Sequence, residues 1–193
     1  VIVFATANEN KTAEVRELLK GLYEVKSLVD IGCTEDIPET SNTLEGNAKQ
    51  KADYVKEKYG FDCFADDTGL EVEALNGAPG VFTARYGGPE KDAQQNMNYL
   101  MNELEKIGAL ETSERGARFR TAIHLIINGQ EVGLDGICNG HIARLQSGTA
   151  GFGYDPIFIP KGEHRTFSEM SSEEKNSMSH RGSAIRSMLE YLG

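Results

Sequence analysis

Two adjacent carboxylates, Asp66 and Asp67, follow a short apolar run, Cys63–Ala65, and are themselves followed by Thr68 and Gly69. Neighbouring carboxylates repel each other unless a cation or a set of donors compensates them, and hard divalent cations such as Mg²⁺ take oxygen ligands of this type. Successive side chains of an extended backbone point to opposite faces, so a strand through the pair would give one aspartate to chemistry and one to scaffold. The alternative for these four residues alone is a solvated turn at the end of the strand, with Gly69 supplying an unusual backbone angle. Downstream, Leu70, Val72 and Ala74 alternate with Glu71 and Glu73 as a half-exposed strand does, and Asn76, Gly77, Pro79 and Gly80 stop it. Thr83, Ala84, Arg85 and Tyr86 follow, so carboxylates, a hydroxyl, a guanidinium and close-approach backbone come together in one stretch.

Three other stretches carry polar chemistry. Thr6–Lys11, reading TANENK, lies between an apolar strand, Val1–Ala5, and a helix marked by Val15, Leu18, Leu19 and Leu22. A strand, a short loop and a helix start make an anion cradle, because free N–H groups and the positive end of the helix dipole meet there. Equally, Asn8 or Asn10 could cap the helix, with Lys11 on its wet face. Ser147–Asp155 places three glycines around Phe152 and Tyr154, and Phe152 either stacks on a planar ligand or plugs the core under the loop. Ser171 and Glu174 form a capping box that puts Lys175 in the first turns of a short helix, and His180 and Arg181 open the last one.

The elements that must hold these groups follow from periodicity. Tyr23–Val29 reads as a second strand, and the acidic loop after it, with Glu35, Asp36 and Glu39, reads by default as solvated. Ala48, Ala52, Val55 and Tyr59 mark a helix bearing Lys51, and Asp92 caps another with Met97, Leu100, Met101 and Leu104 on one stripe. Phe119, Thr121, Ile123, Leu125 and Ile127 alternate up to Asn128-Gly129, a strong hairpin signal, with His124 on the opposite face as an exposed or satisfied polar group. Ile157–Ile159 makes a further short strand, and Ile185, Met188, Leu189 and Leu192 face inward on the last helix.

Composition narrows the partners. The 193 residues carry 30 acidic and 20 basic side chains, a net charge of −10, which disfavours a nucleic-acid polymer but not a small polyphosphate held by a few local donors. Three widely spaced cysteines give neither a disulfide framework nor zinc spacing. No apolar run approaches membrane-spanning length, and the VIVFA start lacks the charged leader of a signal peptide, so the expectation is a cytoplasmic protein that does not bind membrane.

From Ala65 to Tyr86 the chain follows the pattern ADD-[ST]-GL-x-V-x-AL-x-G-x-PG-x-x-[ST]-ARY, and here it resembles the inosine triphosphatase family, pyrophosphatases of non-standard purine nucleoside triphosphates. Four further motifs agree in order: Thr6–Lys11 with the family's triphosphate loop, Glu39–Ala52 with its E-N-A-x-x-K-A region, GFGYDPIF with its base-binding loop, and E-E-K with S-H-R-x-x-A near the end. The resemblance implies one pyrophosphatase domain over residues 1–193. It would be α/β, two-lobed on a long mixed β-sheet flanked by helices, with the active site in the cleft between the lobes, and a homodimer. It implies Mg²⁺-dependent hydrolysis of ITP, dITP and XTP to monophosphate and pyrophosphate, which cleanses the nucleotide pool. By the same resemblance Asp67 is the base and, with Glu39, a metal ligand. Thr6, Ala7, Asn8, Glu9, Asn10, Lys11, Lys51 and Thr68 would hold the phosphates, and Phe152, Gly153, Tyr154, Asp155, Lys175, His180 and Arg181 the purine. The chain departs from the pattern at Ala7, where glycine is usual, and at Gly46, where many members have glutamate; Glu45, one place earlier, is the reserve metal ligand. The rival readings are a nucleotide-binding module without turnover and a related house-cleaning pyrophosphatase for other altered nucleotides.

Overall fold

The computed structural model describes residues 1–193. Its order is β1 (Ile2–Phe4), α1 (Glu9–Leu18), β2 (Val25–Lys26), α2 (Leu44–Tyr59), β3 (Cys63–Val72), α3 (Ala93–Lys106), β4 (Gly116–Ile127), β5 (Gln130–Ile142), β6 (Phe158–Pro160), α4 (Ser172–Met178) and α5 (His180–Leu192). The strands form one mixed sheet in the order β2-β1-β3-β4-β5-β6. β1 runs parallel to β2 and β3, and β6 is antiparallel to β5. The α/β class and the mixed, helix-flanked sheet expected from the sequence are present. The chain divides into two compact units, the first of Val1–Asp67, Thr121–Gly136 and Arg181–Gly193, the second of Thr68–Arg120 and Ile137–His180.

In the first unit the strands are covered on both faces, and alternation decides which side chain goes to which cover. Ile2, Phe4, Phe64 and Leu125 pack with Val15 and Leu19 of the α1 segment and Ile185 and Met188 of α5. Val3, Ala5, Cys63, Ala65 and Ile126 pack with Ala52 and Val55 of α2. A strand buried on both sides needs an unbroken apolar run, and VIVFA supplies one. The Phe4 and Phe64 rings stack with centroids 4.7 Å apart. The same double cover explains why burial in β4 does not alternate as expected, since Ala122 and Ile126 are buried along with Ile123 and Leu125. The Asn128-Gly129 hairpin is as read, with both residues at positive φ (50° and 76°) as a tight two-residue turn requires.

In the second unit Leu70, Val72, Phe119, Phe158 and Phe167 pack against Leu100 and Leu104 of α3. Asp92 accepts from the Gln95 N–H at 2.8 Å and caps α3, and Ser171 with Glu174 closes the expected capping box on α4. Arg115 is buried at 2% exposure and donates to the carbonyls of Ile142, Ala109 and Ala143.

Three expectations are corrected. Asp66 to Gly69 is not a turn: β3 runs through it, Gly69 has no positive φ, and the chain bends only at the 3₁₀ turn Glu73–Leu75, so Ala74 is not in the strand. Tyr23–Val29 pairs only over Val25–Lys26, because Asp30 Oδ2 takes the Ser27 N–H at 2.7 Å and ends the ladder. Leu22 lies past α1 and is 62% exposed, since the chain turns at Gly21 with φ 80°. No helix is long and apolar enough to cross a membrane.

Truncating Phe64, which sits two residues before Asp66 on the same face, removes one ring of the stacked pair. Phe64→Ala is expected to lower stability by about 3–5 kcal/mol, read as a lower urea midpoint at unchanged slope.

Candidate active site

Alternation along β3 sends Asp66 to the face of Phe64 and Asp67 to the face of Ala65. The two carboxylates therefore meet different helices, all within the first unit. Asp66 is 1% exposed; its Oδ1 lies 2.8 Å from Lys11 Nζ of α1, and its Oδ2 accepts from Arg181 Nε of α5 at 3.0 Å. Arg181 also pairs with Glu14, one turn beyond Lys11 on α1. Burial by itself would push the Asp66 carboxyl up, but Lys11, Arg181 and Lys51 outweigh it and hold the group below the ordinary carboxylate range.

Asp67 has the opposite balance. Its Oδ2 accepts from Asn47 Nδ2 of α2 at 3.1 Å. Burial raises its carboxyl and the negative charge of Glu39 adds to that, so the group stays above the ordinary range despite Lys51, Lys11 and the Asn47 bond. Lys51 is buried and bridges the two surroundings, donating to the Asp66 carbonyl at 2.7 Å and pairing with Glu39 Oε1 at 2.5 Å.

The loop that delivers Glu39 is exposed at Asp36 and Glu39, as its composition suggests, but it is tied down along its length. Glu35 takes Tyr54 OH at 2.8 Å, Tyr59 OH at 2.9 Å and Lys58, all on the last turns of α2. Thr40 N–H donates to Gln50 Oε1 at 2.9 Å, and Ser41 N–H to Asn47 Oδ1, also at 2.9 Å. Thr43 caps the helix by accepting from the Gly46 N–H at 3.1 Å. The loop thus runs back along α2 and is stapled to it at successive turns. Gly46 is part of this fit, since a Cβ there would lie 1.9 Å from Ser41 Oγ. Glu45 is exposed on the first turn of α2.

At the start of α1, Asn8 is the N-cap, and its side chain accepts from the N–H groups of Asn10 (3.0 Å) and Lys11 (3.2 Å). Thr6 Oγ1 accepts from the Asn8 N–H at 3.1 Å. Ala7, Asn8, Glu9 and Asn10 are exposed and Lys11 is half-buried. The helix start is therefore capped: the Thr6 and Asn8 side chains take the N–H groups of Asn8, Asn10 and Lys11, and residues 7–10 face solvent.

The second unit gathers the residues expected around a base. Lys175 Nζ lies 2.6 Å from Asp155 Oδ2, both side chains buried, and 4.6 Å from the centroid of the Phe152 ring. Asp155 Oδ2 also accepts from the Phe152 N–H at 3.0 Å. Gly151 has φ 73°, and a Cβ on it would lie 2.2 Å from that same Asp155 oxygen, so the glycine lets the loop close on the carboxylate. Gly153 also has positive φ, 61°. Tyr154 OH donates to the Thr83 carbonyl at 2.7 Å. His180 is buried with its ring 4.5 Å from that of Phe119 and nearly parallel to it, and Thr68 is half-buried.

Consecutive residues His180 and Arg181 thus serve different surroundings, and the Arg181 guanidinium is engaged with Asp66 and Glu14. Asn47 and Glu14 were not singled out from sequence. Asn47 stands in the family's E-N-A segment, and Glu14 lies three residues after Lys11 on the same helical face, which are the signals that could have found them.

Glu39 and Asp67 offer hard oxygen donors, and their mutual repelling charge at a partly buried place is what a divalent cation relieves. Their oxygens are of the type a hard divalent cation takes.

The model of the Ham1 family matches residues 2–191, and the chain belongs to that family. A dITP/XTP pyrophosphatase from Flavobacterium psychrophilum is 50% identical over 191 residues, covering 99% of this chain and 98% of its own. One from Bacillus subtilis is 43% identical over 192 residues, covering 98% and 96%. Among solved structures, a HAM1 protein from Coxiella burnetii superposes with a TM-score of 0.88 at 36% identity, covering 99% of this chain and 97% of that one.

Asp66→Asn leaves Lys11 and Arg181 without their shared anion and is expected to cost about 3–5 kcal/mol at neutral pH. The folded pKa of Asp66 is depressed, so its contribution is full above the unfolded value of about 3.9 and fades as pH falls below it. Denaturation series at several pH values should show the gap between wild type and variant narrowing below about pH 4.

Proposed function

We propose that this Ham1 chain is a pyrophosphatase that hydrolyses purine nucleoside triphosphates with altered bases, ITP, dITP and XTP, to the monophosphate and pyrophosphate. The observation that carries the reading is the split fate of Asp66 and Asp67. One is paired with two cations inside the fold, and the other is held above the ordinary carboxylate range by burial and the charge of Glu39, which outweigh Lys51, Lys11 and the Asn47 bond. A group of the second kind suits a proton acceptor, because burial makes it a better base than a free aspartate.

Water attacks the α-phosphorus, a new P–O bond forms, and the bond from that phosphorus to the bridging oxygen of the β-phosphate breaks. Asp67 takes the proton of the attacking water, and pyrophosphate leaves. Lys11, Lys51, Thr6, Thr68 and the polar groups from Ala7 to Asn10 hold the phosphates and stabilise the leaving charge. Arg181 and Glu14 act through Asp66, keeping Lys11 on station. Glu39 and Asp67 would hold Mg²⁺, which would neutralise charge on the phosphate oxygens. In the second unit Phe152 stacks on the purine, and Gly153, Tyr154, Asp155, Lys175 and His180 surround and read it. The same reading takes the protein as a cytoplasmic homodimer of one-domain chains, which the family resemblance supports.

A pyrophosphate-release assay with Mg²⁺ tests the reaction class: pyrophosphate and monophosphate are expected, and orthophosphate with diphosphate would place the chain elsewhere. Asp67→Asn should abolish turnover while leaving nucleotide affinity within a modest factor. A chain that bound ITP without hydrolysing it would support a binding module instead.

Base selection follows from donors. A 6-oxo group accepts a further hydrogen bond from Lys175 or His180, whereas the 6-amino group of adenine sets donor against donor and forfeits that bond, at about 1–3 kcal/mol for each one lost. The kcat/KM for ITP should therefore exceed that for ATP by roughly 5- to 150-fold for each partner lost, and equal values would exclude this assignment of the base site.

A further inference from the structure

A carboxylate acts on a reacting atom only if its rotation is fixed by something rigid. Asn47, 4% exposed, donates from Nδ2 to Asp67 Oδ2 at 3.1 Å and accepts from the Ser41 N–H through Oδ1 at 2.9 Å. The second bond decides the first. Turned over, the amide would set its NH₂ against the Ser41 N–H, leaving that N–H only its longer bond to Gln50 Oε1 at 3.3 Å, and its oxygen against the Asp67 carboxylate, so the face shown to Asp67 is the donor. The residue stands on a fixed base as well. Its own N–H donates to the Thr43 carbonyl at 3.2 Å, and Thr43 caps the turn through the Gly46 N–H. Ser41, in turn, is two residues from Glu39, whose carboxylate is tied to Lys51 one turn along the same helix.

We propose that Asn47 is a positioning residue: it aims the Asp67 carboxylate and, through Ser41, holds the Glu39 loop in register with it. The proposal rests on the roles assigned above to Asp67 and Glu39. An amide that served only to satisfy the loop would need nothing from Asp67. An amide that aims the base is felt in turnover and in cation affinity before it is felt in substrate binding.

Two variants separate these roles. Asn47→Asp keeps an acceptor for the Ser41 N–H but turns the donor facing Asp67 into an acceptor. Asn47→Leu removes both bonds at similar volume without adding charge. The full chain is assayed for ITP turnover, for Mn²⁺ binding by calorimetry in the absence of nucleotide, and for thermal midpoint, with Asp67→Asn measured alongside. Both Asn47 variants are expected to lose about 10- to 100-fold in kcat with KM for ITP changed by no more than about threefold, and Asn47→Leu to bind Mn²⁺ about tenfold more weakly. The double variant Asn47→Asp with Asp67→Asn re-forms an amide–carboxylate bond with the partners exchanged. It should regain the thermal midpoint lost in Asn47→Asp while remaining inactive. Wild-type kcat in both Asn47 variants, beside an inactive Asp67→Asn, would overturn the proposal and leave the reading of Asp67 intact. A fall in kcat that tracks the thermal midpoint, with Mn²⁺ affinity unchanged in Asn47→Leu, would reduce Asn47 to a structural residue and overturn it too. An active Asp67→Asn would instead remove the premise.

Discussion

A carboxylate buried in the middle of a strand has to be met by cations, and much of the first unit is arranged around that demand at Asp66. The helices that cover its face, α1 and α5, each bring one cation, Lys11 and Arg181. They come from opposite ends of the chain, so the first helix and the last are joined through one side chain. Glu14 gives Arg181 a second anion, which spares the fold an excess of buried positive charge. A buried ion network of this kind adds little net stability over an apolar core, yet it is costly to break. Its use here is to hold Lys11 in a fixed place at the mouth of a polar loop. On the other face of the same strand the balance is inverted: Asp67 accepts from the Asn47 amide, and burial with the charge of Glu39 outweighs Lys51 and Lys11 there.

The second unit uses one carboxylate in a comparable way. Asp155 gathers a backbone N–H, the ammonium of Lys175 and the bare edge of Gly151 at a single oxygen. The cation that neutralises it also lies over the Phe152 ring, an attraction of about 0.5–2 kcal/mol that draws electron density toward that ring face. The aromatic residue proposed to stack on the purine is therefore fixed at its backbone and polarised at its ring by the same two partners.

Much of this was legible in the sequence where the signal is local. The Asn128-Gly129 turn, the caps at Asp92 and Ser171, the stripe along α2 and the apolar run of β1 each depend on residues within a few positions of one another, and each is found as read. The Asp-Asp-Thr-Gly stretch shows where local reasoning fails: its turn propensity is real, but it is outweighed by a strand covered on both faces that continues to Val72. Glu35 could not be separated from Asp36 by composition, because its partners Tyr54, Lys58 and Tyr59 lie some twenty residues on and meet it only once the loop folds back. The family resemblance assigns Arg181 and His180 together to the purine, whereas the start of a helix turns successive side chains about 100° apart, and here the Arg181 guanidinium meets Asp66 and Glu14 while the His180 ring lies against Phe119.

The stapling of the Glu35–Thr43 segment to α2 has a consequence for how this part of the protein opens. Amide hydrogens in an irregular loop ordinarily exchange with solvent through small, independent fluctuations. Those of Thr40 and Ser41 are instead bonded to side chains on α2, so releasing them requires the helix to lose its hold as well. Loop and helix then form one cooperative unit with a shared opening free energy, and the deuterium uptake of a segment without regular secondary structure should follow the helix it lies against.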